Sequence, residues 1–171
     1  ISLHEDCLRL PLIITGPDIQ PGAVAQNAQL IDILPTLVDW CDLAPPSRLD
    51  GHSLAPALTG KDIPDRDAIF VSENTYEKQR AVRKGGWKYM RMEESLAGMP
   101  AQCLFNLETD PLETVNLADE DPDRTAELDA VLEDYVQTVT AGGLDPLHQQ
   151  PISQRPWSKP KAPDHARAKG K

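Results

Sequence analysis

Asp121-Pro122-Asp123-Arg124-Thr125-Ala126-Glu127-Leu128-Asp129-Ala130-Val131-Leu132-Glu133-Asp134-Tyr135-Val136-Gln137-Thr138-Val139 is the stretch on which the fold turns. Asp121 is an N-cap residue type, and Pro122 suits the first helical position, where a missing N–H costs nothing. Leu128, Val131, Leu132, Tyr135, Val136 and Val139 then recur at helical spacing along one stripe, and Gly142-Gly143 stops the helix. One stripe needs one covering layer, and the residues before it read as short strands. Ala68 to Glu73 is the first. Arg80 to Arg83 and Trp87 to Met92 flank Lys84-Gly85-Gly86, a hairpin whose glycines supply positive φ, and Cys103 to Leu107 follows. The expectation is a small antiparallel sheet whose Ile69 or Phe70, Val82, Trp87, Tyr89 and Leu104 meet the helix stripe.

Upstream the pattern differs. Leu8 to Thr15 is a nearly continuous apolar run closed by Gly16-Pro17, which predicts a strand buried on both faces, as in a parallel sheet. Asp32 is placed to cap a helix with Pro35 in its first turn and Leu34, Leu37, Val38 and Cys41 on one face, ending before Leu43 to Arg48. A short helix is expected at Ala55 to Leu58, then a charged linker from Lys61 to Asp67. The fold class is therefore α/β. Residues 1–62 are read as the C-terminal end of an α/β domain, 63–145 as the antiparallel sheet with its long helix, and 146–171 as a basic, Pro-rich disordered tail. That tail sets Arg155, Lys159, Lys161, Arg167, Lys169 and Lys171 against a single Asp164, too little apolar surface to offset ordering. Its charge allows it to join copies of the chain into a homo-oligomer.

Composition narrows the function. A net charge of -10 argues against nucleic acid as a partner, since phosphate backbones are bound by clustered Lys and Arg. No apolar run approaches the roughly 20 residues that span a bilayer, and no membrane partner is expected. Cys7, Cys41 and Cys103 lie far apart with no C-x-x-C pair, so idle or buried thiols are expected rather than a zinc or redox site. The chain opens on Ile1, and Ile1 to Leu12 lacks the features of a secretory signal, so further sequence upstream is expected.

Site chemistry read residue by residue yields no catalytic group. His4, His52, His148 and His165 have neither H-x-x-x-H spacing nor a carboxylate partner at helical distance. Ser53 sits in Gly-His-Ser-Leu-Ala, without the second glycine of a nucleophile elbow, and reads as a helix cap. The acidic run Asn106 to Asp123 lacks the calcium-loop skeleton and reads as a solvated loop. Neither a Walker pattern nor a G-x-G-x-x-G occurs.

Five segments in order carry a resemblance instead. They are His4-Glu5-Asp6-Cys7-Leu8-Arg9-Leu10-Pro11-Leu12-Ile13-Ile14 with Gly16-Pro17; Leu30-Ile31-Asp32-Ile33-Leu34-Pro35-Thr36-Leu37; Asp50-Gly51-His52-Ser53-Leu54-Ala55-Pro56-Ala57-Leu58 with Gly60; Ala81-Val82-Arg83 with Trp87-Lys88-Tyr89; and Leu104-Phe105-Asn106-Leu107-Glu108-Thr109-Asp110-Pro111-Leu112-Glu113-Thr114-Val115-Asn116-Leu117-Ala118. Together they resemble the C-terminal third of a sulfatase of the alkaline-phosphatase-like superfamily.

The resemblance implies hydrolysis of a sulfate ester or sulfamate by a hydrated formylglycine, with calcium and basic residues stabilising the sulfuryl oxygens. It also implies that this chemistry lies outside the chain. The formylglycine arises from Cys or Ser in Cys/Ser-x-Pro-x-Arg, whereas Cys7-Leu8-Arg9-Leu10-Pro11 has Arg and Pro in the wrong order, and neither Cys41 nor Cys103 is followed by the motif. The lysine that contacts sulfate falls about one residue before Ile1. No catalytic residue, metal ligand or cofactor is therefore expected here, and the chain itself is expected to be inactive. Glu73 and Asn74, before the hairpin, are candidates for the rim of the substrate cleft. The expected partners are the upstream part of the same polypeptide and, in the complete enzyme, a small sulfated substrate such as an aryl sulfate, choline sulfate or a sulfated sugar. A non-catalytic binding domain of the same fold, or part of a phosphonate or phosphate monoesterase of the superfamily, are the alternatives.

Overall fold

The structure, a computed structural model, describes residues 3–74, 78–94, 98–141, 143, 145 and 147. Apart from Leu147, the tail 146–171, with the oligomer expectation attached to it and with His148 and His165, lies outside these. The elements run α1 (Glu5–Leu8), a 3-10 turn (Leu30–Asp32), α2 (Ile33–Trp40), α3 (Ala55–Leu58), β1 (Ala68–Glu73), β2 (Lys78–Lys84), β3 (Trp87–Glu94), β4 (Gln102–Asn106) and α4 (Pro122–Thr140). Two compact units result: Pro11–Asp67, and Ile1–Leu10 together with Ala68–Lys171.

In the second unit the strands form one antiparallel sheet in the order β1-β2-β3-β4. Lys84 pairs with Trp87 across a two-residue turn, where Gly85 takes φ 57°, a conformation a β-carbon disfavours. The edge of β4 is closed by Asn116. Its Oδ1 accepts from the Leu104 and Ala118 N–H groups and its Nδ2 donates to the Gln102 carbonyl, so one side chain stands in for a neighbouring strand.

Strand alternation gives the sheet two apolar faces. On one, Val82, Tyr89 and Leu104 pack against Leu128 and Leu132 of α4, with Phe70, Trp87 and Val131 around them. Phe70 thus faces the helix, stacked on Tyr135 with ring centroids 3.9 Å apart. The helix begins as its sequence predicts: Asp121 Oδ1 accepts from the Arg124 N–H at 3.1 Å, and Pro122 occupies the first turn. It ends where Ala141 turns left-handed at φ 47°. Val139, expected on the stripe, is 54% exposed and lies beyond Val136, the last buried residue of the helix.

The other face is covered from the N-terminus. Leu3 and Leu8 pack with Ala81, Met90, Cys103 and Phe105. Residues 3–8 therefore belong with the sheet and not with the leading domain in which the sequence placed them. Cys103 is buried there, and burial, then the Glu113 charge, raise its thiol pKa; Cys7 and Cys41 are exposed, and all three thiols are free.

The unit Pro11–Asp67 is organised by Asp32. This fully buried carboxylate accepts from the N–H groups of Gln29 (2.7 Å) and His52 (2.8 Å) and pairs with the Arg66 guanidinium. Thr36 Oγ1 donates to the Asp32 carbonyl and accepts from the Leu54 N–H. Asp32 does precede α2, but its side chain caps the 3-10 turn and ties in two distant segments, at His52 and Arg66, instead of capping α2. Gly51 lies so close to the Ile31 carbonyl that a β-carbon would sit 2.0 Å from its oxygen. Ser53 is used structurally: its Oγ accepts from the Ala55 N–H and donates to Asp39.

Two apolar expectations fail. Leu8 to Thr15 is not a strand: Leu8 ends α1, and residues 9–15 have no regular structure. A strand requires a ladder partner, and among the described residues the only sheet is the β1–β4 meander, which does not pair with them. Ile13 is 80% exposed, and Leu10, Leu12 and Ile14 are also well exposed. On α2, Pro35 and Thr36 are buried, whereas Leu34 and Leu37 are exposed, as is Leu30 of the preceding 3-10 turn. No helix among the described residues is long and apolar enough to cross a membrane.

Candidate functional site

Two polar constellations lie on the sheet unit, one per face. On the α4 face, Arg80 of β2 and Arg91 of β3 stand side by side beyond the apolar core. Arg80 Nη2 donates to both oxygens of Asp145 (2.5 and 2.7 Å). Arg91 donates to Glu93 (2.8 Å), Asp129 (2.9 Å) and Glu133 (3.0 Å). Burial opposes the Arg91 charge, but these three carboxylates outweigh it and hold the guanidinium charged beyond the usual arginine range. Arg80, Arg91, Glu93, Glu133 and Asp145, with residues of the end of α4, line an open depression of about 410 Å³. Every guanidinium in it already has a carboxylate, so the depression offers an incoming anion no unused positive charge.

Tyr89 closes the inner end of this network. Its hydroxyl donates to Asp129 Oδ1 (2.9 Å) and accepts from Gln102 Nε2 (2.7 Å). Burial first, and the bond to Asp129 second, push the Tyr89 phenol well above the ordinary tyrosine range. An ultraviolet titration should therefore find Tyr89 still protonated at about pH 10, where a free tyrosine is half ionised. The raised folded-state value means that its contribution to stability is complete below about pH 10 and is lost as pH climbs above that. Tyr89→Phe should abolish this alkaline loss; ionisation at the ordinary pH in the folded protein would contradict the network.

On the opposite face, Lys88 Nζ lies 2.8 Å from Glu113 Oε1 and 3.0 Å from Glu5 Oε1. Arg83 Nη1 lies 3.3 Å from Glu5 Oε2, and His4 Nδ1 lies 3.3 Å from Glu113 Oε2. The sequence marks Lys88 through strand alternation, since it points away from Tyr89 and toward the side of Met90. Nothing in the sequence marks Glu113, whose left-handed backbone at φ 56° appears only in three dimensions.

The cleft-rim candidates lie at the end of β1. Glu73 is buried, paired in register with Gln79, and Asn74 is exposed just beyond it. Gln79 Nε2 is buried nearby without a hydrogen-bond partner. In the acidic loop, Asp110 accepts from the Thr114 and Val115 N–H groups, and these bonds, that of Val115 foremost, lower its pKa. Among the described residues no three His, Cys, Asp or Glu side chains converge to hold a metal ion.

In this chain a four-stranded meander backed by one long helix follows the segments gathered at Asp32. The family described as N-sulphoglucosamine sulphohydrolase, C-terminal, matches residues 2–141. The chain belongs to this sulfatase family. Choline-sulfatase of Rhizobium meliloti is 32% identical over 123 residues, covering 70% of this chain and 23% of that protein. The solved structure of a 2-O GAG sulfatase is 32% identical with a TM-score of 0.54, over 65% of this chain and 25% of that one. A phosphonate monoester hydrolase from Silicibacter pomeroyi, at 24% identity, shares the fold with a TM-score of 0.57 over 78% of this chain and 29% of that one. This sulfatase-family chain spans about a quarter of the length of the curated relatives it matches.

Proposed function

We propose that the complete protein is a sulfatase that hydrolyses a sulfate ester or sulfamate, and that this chain supplies the C-terminal end of its α/β layer and the C-terminal sheet. The match over residues 2–141 to a C-terminal sulfatase family carries this reading. The exposed apolar side chains of Leu12, Ile13, Leu30, Leu34 and Leu37 support it, since such side chains are what an upstream layer would cover.

Formylglycine and calcium belong, in this reading, to the upstream sequence. The residues present do not fit either group. No cysteine stands in the Cys/Ser-x-Pro-x-Arg context. Among the described residues no three His, Cys, Asp or Glu side chains converge, and the carboxylates of Glu5 and Glu113 are paired with Lys88. What this chain can contribute is positioning of the upstream layer and, through Glu73 and Asn74, a polar rim to the substrate cleft. A phosphonate or phosphate monoesterase is the second reading, favoured by the fold shared with a phosphonate monoester hydrolase.

The complete protein, assayed with an aryl sulfate, choline sulfate, a sulfated sugar and a phosphonate monoester, decides between them. Turnover of a sulfate ester, lost on chelation of calcium and absent from the 171-residue chain alone, is expected. Turnover of the phosphonate with none of the sulfates would replace this reading with the second, and turnover of a sulfate by the isolated chain would contradict the upstream placement of the chemistry.

A further inference from the structure

A lysine is almost never fully buried unless paired, and Lys88 retains only 1% of its exposure. An apolar side chain at the same place would satisfy the surrounding core without desolvating three charged groups, so stability by itself does not account for the cluster. What the cluster holds is the N-terminal segment. Glu5 is gripped through its carboxylate by Lys88 and Arg83 and through its amide N–H, which donates to Glu113 Oε2 at 2.5 Å. His4 faces the same oxygen, with its ring 5.5 Å from that of Phe105. Leu3 and Leu8 seat in the apolar core on either side. Glu113 adopts a backbone conformation unfavourable for a side chain of its size, and such strain persists only where the surroundings enforce it.

We propose that Lys88 is a positioning residue. With Glu113 it clamps Leu3–Leu8 onto the sheet and so sets the path of the polypeptide arriving from upstream. The proposal rests on the sulfatase reading, in which that polypeptide carries the catalytic groups. Lys88 acts through Glu5 and touches no reacting atom. The C-terminal sheet is then the anchor against which the catalytic layer is aligned, and small displacements at such an anchor are felt in turnover.

Glu5→Gln in the complete protein tests this, with Glu5→Asp as the variant that keeps the carboxylate, Lys88→Met as a second way of breaking the clamp, and Glu127→Ala as a surface control. The amides of Cys7, Leu8 and Arg9, which donate to the His4 and Glu5 carbonyls, should exchange at least about tenfold faster in Glu5→Gln, with amides of β3 and α4 changed by less than about twofold. For sulfate-ester turnover, kcat should fall by about tenfold or more with KM within about twofold, and Glu5→Asp should recover most of the loss. Unchanged exchange at Cys7 to Arg9 overturns the proposal, as does lost protection with unchanged kcat. Equal loss of protection throughout the sheet and α4 also overturns it, since that marks general destabilisation. If Lys88→Met does not fold, Glu5→Gln decides, because Glu5 lies outside the sheet. If the unsubstituted complete protein turns over no sulfate ester, the sulfatase reading falls and the exchange measurement alone judges the clamp.

Discussion

Leu132→Ala should lower the stability of the sheet unit by about 2–5 kcal/mol, the range for deleting a large aliphatic side chain from a packed core. Leu132 is 1% exposed and sits among Val82, Tyr89, Leu104 and Leu128, so no neighbouring segment can relax into the cavity without leaving its own contacts. Domains of this size have roughly 5–15 kcal/mol in total, and the loss is a large part of it. Glu127→Ala, on an exposed part of the same helix and paired with Arg124 at 3.8 Å, should change stability by no more than about 0.5 kcal/mol. Thermal melts of the full chain are the measurement, because excising the sheet would also strip away Leu3 and Leu8. Equal losses from the two substitutions would mean that the stripe does not carry the packing described.

Asp32→Ala should be as damaging to the other unit, at about 3–5 kcal/mol, the cost of removing one partner of a buried ion pair. It would leave the Arg66 guanidinium and the Gln29 and His52 N–H groups without their acceptor. Limited proteolysis within residues 11–67 reports this unit separately from the sheet. Accelerated cleavage there with an unchanged melt of α4 is expected. Unchanged cleavage would show that the knot at Asp32 is not what holds these segments.

How much of this the sequence reveals depends on whether an element finds its partners within the chain. The α4 stripe, the Gly85 turn and strands β1 to β4 are legible because period and turn chemistry suffice once a sheet can close around them. The run Leu8 to Thr15 carries an equally strong pattern, yet forms no strand, since hydrophobicity signals burial but cannot supply the neighbouring strand. Asp32 reads as a cap because caps are local, whereas its bonds to His52 and Arg66 span 20 and 34 residues. The Lys88 clamp is likewise a long-range arrangement, joining residues 83 and 108 positions from Glu5, and no local pattern announces it. Glu73 and Asn74 are rim candidates only through their place before the hairpin.

Amide exchange at Leu10, Leu12, Ile13 and Ile14, compared between the 171-residue chain and the complete protein, tests most directly whether this chain is the closing part of a larger sulfatase layer. In the chain alone these amides have no ladder partner and should exchange nearly as fast as an unstructured peptide. In the complete protein, paired within a sheet, they should slow by on the order of a thousandfold or more. Equal exchange in the two would contradict the account, for it would show that the apolar run at residues 10–14 is not completed by the upstream sequence.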